Sequence, residues 1–146
     1  SNGNIYRYMG GAGGLTSSGL WYAAGTSIVG VKFGNFSTAF PGLEIAMAFG
    51  TTVRIIRGDV ANTVIQSSLP AFSPSAPITS FAVGDINGDG WDDIAIGTSG
   101  SSAAIFLWEN LGQGTSWTYA VTLDNIGSTV FSIILGDTTN SQYVGR

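Results

Sequence analysis

Short apolar or alternating runs, separated by turns rich in Gly, Ser, Asn and Asp, recur along the whole chain. Ile5-Tyr6-Arg7-Tyr8, Ser27–Phe33, Val53-Arg54-Ile55-Ile56 and Ile105-Phe106-Leu107-Trp108 are such runs, and Ile45–Phe49 and Ile94-Ala95-Ile96 are apolar throughout. Alternation with a period of two marks a half-buried strand, and a short apolar run bounded by turn residues marks a strand covered on both faces. No segment sustains a 3.6-residue apolar period, so almost no helix is expected. The clearest stretch predicts strands at about 78–86, 92–98, 103–109 and 117–123, separated by Asn87-Gly88-Asp89-Gly90, Thr98–Ser102 and Asn110–Gly114. The preceding stretch predicts about 27–34, 43–49, 52–57 and 61–68, and the chain opens with strands at about 4–9 and 18–24.

The pattern repeats. Gly34-Asn35, Gly84-Asp85 and Gly136-Asp137 each follow a β-rich run, at spacings of 50 and 52 residues. The strands beginning at Ile5, Val53 and Ile105 repeat at 48 and 52. Four short strands per period of that length is the pattern of a β-propeller blade, which must stack on neighbouring blades to bury its two faces. The expected fold is all-β: four-stranded antiparallel blades, about three blades' worth, in a larger or oligomeric propeller. The expected division is a partial blade at 1–26, a divergent blade at 27–77, a loop-bearing blade at 78–127 and a partial blade at 128–146. Three assemblies accommodate the partial blades: a longer polypeptide, two chains completing a six-bladed ring, or the partial blades pairing into a three-bladed ring. The first is preferred, because a stop after Gly145-Arg146 cuts a strand short. A plain β-sandwich is the alternative fold.

Composition narrows the function. Only 10% of the 146 residues are charged, with 5 Lys+Arg against 9 Asp+Glu and a net charge of −4. One Lys and four Arg cannot supply the basic face that nucleic acid requires, so no nucleic-acid partner is expected. With no Cys and no His, disulfides, thiolate sites, imidazole bases and Ser-His-Asp triads are excluded. Any metal must be held by oxygen, which selects a hard cation such as Ca²⁺ or Mg²⁺. No apolar run reaches the ~18–20 residues of a membrane span, so no membrane insertion is expected. No leader pattern opens the chain; if the protein is exported, this is its mature or trimmed form.

One loop carries explicit chemistry. In Asp85-Ile86-Asn87-Gly88-Asp89-Gly90-Trp91-Asp92-Asp93, oxygen side chains fall at positions 1, 3, 5 and 9. Gly90 at position 6 permits a sharp turn, and the backbone carbonyl of Trp91 at position 7 can point inward. That is calcium-loop spacing. The expected ligands of one Ca²⁺ are Asp85, Asn87, Asp89, the Trp91 carbonyl and Asp93. An EF-hand is rejected, because its position 12 is Ile96, within an apolar strand, and no helix flanks the loop. The loop is therefore expected in a β-hairpin, with Asp92 pointing away into solvent. An acidic turn without metal is the plainer alternative.

The run Phe81–Gly97, with those nine residues at its centre, resembles the FG-GAP propeller repeat, of the integrin α and VCBS-like type. Ile105–Gly114, with its Asn110-Leu111-Gly112 turn, is similar to that repeat's following strand and turn. The resemblance implies a blade whose first hairpin binds Ca²⁺, in an extracellular or cell-surface protein that serves adhesion or ligand binding. It covers about 78–123. In the earlier copy, Asn35, Ser37 and Ala39 stand at the ligand positions and Glu44 aligns with Asp93, so no calcium is expected there. Asn35-Phe36-Ser37 is also a glycosylation tripeptide, read here as a turn. In the last copy, Asp137, Thr139 and Ser141 offer one charge.

Trp21, Trp91, Trp108 and Trp117 could stack on sugars, but packing between blades is preferred. Glu109, Asp59 and Asp124 are carboxylates that nothing in the sequence brings together into the pair a glycoside hydrolase needs. Arg54 and Arg57 are expected on a solvated or edge face. The chain is thus expected to be a calcium-stabilised adhesion or binding module with a protein or glycan ligand, and not an enzyme. The alternative is a structural subunit of a surface layer, filament or particle, associating with its own copies. A carbohydrate-active enzyme ranks last.

Overall fold

In the computed structural model the described residues are 2–69, 76–100, 103–112, 116–123 and 126–135. They form ten strands and no helix. β1 (Asn4–Gly11) and β2 (Gly14–Ala23) make a two-stranded antiparallel hairpin. β3 (Gly30–Gly34), β4 (Glu44–Phe49), β5 (Thr52–Ile56) and β6 (Val64–Gln66) form a four-stranded antiparallel meander. β7 (Ile78–Gly84), β8 (Asp93–Thr98), β9 (Ile105–Asn110) and β10 (Trp117–Leu123) form a second one. Four-stranded antiparallel sheets that meet face to face are the build of propeller blades.

The alternation of side chains across β4 explains why the middle sheet is apolar on both faces. Ile45, Met47 and Phe49 point one way and meet Trp21 and Tyr22 of the hairpin. Ala46 and Ala48 point the other way and join Phe36, Ile78, Phe81, Ile94, Ile96, Trp108 and Trp117. Every residue of β4 is buried as a result. Alanine on that face leaves room for the large rings opposite. Phe36 lies 5.9 Å from Trp117, and Trp108 meets Tyr119 edge-on at 5.4 Å.

The repeat is visible as a packing contact. A Cβ on Gly34, the last residue of β3, would lie 3.0 Å from Val83 of β7. A Cβ on Gly84, the last residue of β7, would lie 3.3 Å from Leu135. The first strand of each four-stranded sheet thus ends in a glycine, against which the next copy's apolar side chain packs. Residues 126–135 lie along the outer sheet: Val130 N–H donates to the Thr98 carbonyl at 3.1 Å, and Thr79 Oγ1 donates to the Val130 carbonyl at 2.7 Å.

Several strand expectations are adjusted. The first hairpin is longer than the alternation suggested, because only Ala12-Gly13 separates the paired Gly11 and Gly14. β6 is shorter than 61–68, because Asn62 adopts a positive φ of 55° and the register shifts between Ile55 and Ile56. The run Val130–Leu135, read as β-rich, forms no ladder among the described residues. The strand expected beside it, at the chain's end, lies outside them, as do Asp137, Thr139, Ser141 and Asp124.

Candidate functional site

The acidic loop joins β7 to β8, and Gly84 pairs with Asp93 at its base. Asp85 organises it. Its Oδ1 accepts from the N–H groups of Gly88 (2.7 Å) and Asp89 (3.2 Å), and its Oδ2 from Gly90 (2.8 Å). Gly88 and Gly90 hold φ of 78° and 92°, a region in which side chains are strained. Asn87 Oδ1 accepts from Asp89 N–H at 3.0 Å, and Asp89 Oδ1 accepts from Trp91 N–H at 2.8 Å. The Trp91 indole packs on Gly112, where a Cβ would lie 2.6 Å from its Nε1.

Asp93 closes the loop from beneath and is fully buried. Its Oδ2 accepts from Ile86 N–H and its Oδ1 from Asn110 N–H, both at 2.9 Å. Burial pushes its carboxyl above the ordinary range; those two backbone bonds oppose the rise, and the negative charges of Asp89 and Asp85 add to it.

The structure thus gathers Asp85, Asn87, Asp89, Trp91 and Asp93 on one hairpin. All their donors are oxygens, the set a hard cation takes. Among the described residues no three acidic side chains converge into a metal-holding group. Asp85 and Asp89 turn their oxygens onto the loop's own N–H groups, and Asp93 onto Ile86 and Asn110. An ionised carboxylate accepts about four hydrogen bonds, so Asp89 and Asp93 keep lone pairs beyond these bonds.

Asp92 does not point into solvent. Its Oδ2 accepts from Asn35 N–H at 2.7 Å, and its own N–H donates to the Asn35 carbonyl at 3.0 Å. Asn35 Nδ2 also donates to the Gly90 carbonyl at 2.9 Å. The reason is the stacking of sheets: Asp92 faces the adjoining blade. Asn110, fully buried, strengthens the same contact by donating to the Phe36 carbonyl at 2.9 Å. In the sequence Asn110 reads only as part of the Asn110-Leu111-Gly112 turn. A polar side chain at the end of an apolar strand was the available signal.

The earlier copy repeats the closure without the acidic loop. Glu44 pairs with Gly34, is buried, and accepts through Oε2 from Phe36 N–H (2.8 Å) and Ser37 N–H (3.2 Å). Burial raises its pKa, against these bonds. Phe36 and Ser37 are buried and the Asn35 amide is engaged, so the glycosylation tripeptide serves as part of the blade contact. Trp21, Trp108 and Trp117 are buried packing residues. Arg54 and Arg57 are not simply solvated. Arg57 pairs with Asp59 through two bonds of 2.8 and 2.5 Å, and Arg54 Nη1 donates to the Tyr22 hydroxyl at 2.6 Å.

The stacked sheets and their loop-bearing hairpin define a propeller-type repeat module. Residues 78–119 match the family model of the FG-GAP repeat, so the outer sheet is an FG-GAP blade. Over 80 residues the chain is 36% identical to Toxin Res of Pseudomonas putida, a match covering 49% of this chain and 52% of that protein. It thus spans about half the length of that relative. No solved structure matches the chain.

Proposed function

We propose that this chain is a non-catalytic, calcium-binding β-propeller module of an exported or cell-surface protein, serving adhesion or the binding of a protein or glycan ligand. The calcium is structural. It would be held by Asp85, Asn87, Asp89, the Trp91 carbonyl and Asp93. The observation that carries this reading is the coupling of the loop to the blade contact. Asp93, at one end of the donor set, bonds Asn110, and Asn110 bonds Phe36 of the adjoining sheet. A cation would offset the negative charges of Asp85, Asp89 and Asp93 together and fix the hairpin against that sheet. Recognition then falls to loops on a rigid scaffold.

The test is the melting temperature with calcium and with chelator. Calcium should raise it, and Asp89→Ala should abolish the rise. Identical melting in calcium and chelator overturns the reading.

A second reading, a subunit that assembles with its own copies, has one observation in its favour. The β1–β2 hairpin exposes the large apolar side chains Tyr6, Tyr8, Met9 and Leu15, and exposed apolar surface of this kind can mark an interaction site. A monomer at all concentrations in light scattering rules that assembly out.

A further inference from the structure

We propose that the cleft between the β1–β2 hairpin and the middle sheet is a binding site for a carboxylate carried on an apolar, ring-sized group. The cleft encloses about 410 Å³, within the ~300–1,000 Å³ of small-ligand sites. Tyr8, Trp21, Phe33 and Leu43 supply apolar walls, and Arg7 stands among them. Trp21 is buried, whereas Tyr8, Phe33 and Leu43 are 60%, 66% and 54% exposed. The floor is therefore fixed by packing and the rim is open to a guest.

Arg7 decides the chemistry. Its guanidinium lies 4.4 Å from the centre of the Trp21 ring, which holds its plane. Nη1 reaches the Gly58 carbonyl only at 3.5 Å. Among the described residues the ion pair is Arg57–Asp59, and Arg7 has no carboxylate partner. No acidic residue lines the cleft. A guanidinium has five N–H donors in a planar fork that matches a carboxylate. A half-buried cation with spare donors, between aromatic walls, is complementary to an anion with an apolar body. Tyr8 and Phe33 can stack on that body while Arg7 takes the charge. Residues 85–93 do not line the cleft, so this site does not rest on the calcium reading.

The experiment is calorimetric titration in chelator with 3-phenylpropionate and with its neutral amide, 3-phenylpropionamide. The acid should bind saturably, the amide at least tenfold more weakly, and Arg7→Gln should weaken the acid at least tenfold. Phe33→Ala, at an exposed position, should weaken binding several-fold with unchanged melting. It keeps the test decisive if Arg7→Gln fails to fold. A tripeptide ending in a free Phe carboxylate, compared with its amidated form, separates the two sources of this chemistry. Tighter binding of the free-acid peptide than of phenylpropionate assigns a peptide C-terminus; the reverse assigns a small organic acid. Equal binding of acid and amide, or no binding of either, overturns the proposal.

Discussion

The backbone N–H of Asn35 donates to the carboxylate of Asp92 at 2.7 Å, across the junction of two stacked sheets. The Asp92 N–H returns a bond to the Asn35 carbonyl. One residue of the acidic loop is thus committed to the neighbouring blade and is not free for a cation.

Asp92→Ala should destabilise the chain by about 1–2 kcal/mol, because a charge-assisted bond is lost and the Asn35 N–H is left without its acceptor. Asn35→Ala should cost less, about 1 kcal/mol, because only its side-chain bond to Gly90 is removed. Denaturant unfolding of both variants measures this order. Equal, negligible losses would show that the junction carries no stability.

Asn110→Ala should be the more severe change. It strips the buried Phe36 carbonyl and the Gly112 N–H of their partners at once. A loss of about 2–4 kcal/mol is expected, the Phe36 carbonyl being buried and the Gly112 N–H partly so. The same unfolding experiment reads it, with Asn110→Asp showing whether the amide donor matters beyond shape.

How much of this was legible in the sequence can be seen residue by residue. The strands of both four-stranded sheets follow from alternation and turn residues, because each needs only local information and a two-residue period. The Gly84–Asp93 closure follows from loop spacing for the same reason. Asp92 does not, because its partner, Asn35, is 57 positions away and belongs to another sheet. Asn110 escapes notice likewise, since its role depends on Phe36, 74 positions away. Val130–Leu135 has the composition of a strand but forms no ladder among the described residues, and composition alone does not supply a pairing partner.

Gly34→Ala tests the repeat as a packing contact. The added Cβ would lie 2.6 Å from the Phe36 ring and 3.0 Å from Val83. Overpacking of this kind costs about 1–3 kcal/mol. Gly10→Ala, where nothing lies within 4 Å, should be close to neutral in thermal unfolding. Similar losses at both sites would contradict the packing account.

The buried carboxyl of Glu44 sets a pH dependence. Its pKa is raised in the folded protein above the ordinary 4.5, mainly by burial. The folded state then binds that proton more tightly than the unfolded chain. Its contribution is fully present below pH 4.5 and is lost as pH rises through the folded value. Asp59 acts oppositely: paired with Arg57, its pKa lies below 3.8, so its contribution is lost only at still lower pH. In chelator, the melting temperature of Glu44→Gln should show a weaker rise than the parent as pH is lowered from neutrality toward 4.5. Parallel profiles would contradict the assignment.

The most direct test of the central claim is calorimetric titration of the intact chain with Ca²⁺. The account predicts one site per chain, removed by Asp85→Ala and kept by Asp92→Ala, because Asp92 faces the neighbouring blade. Absence of heat with the parent chain, or loss of the site on Asp92→Ala with folding intact, would contradict it.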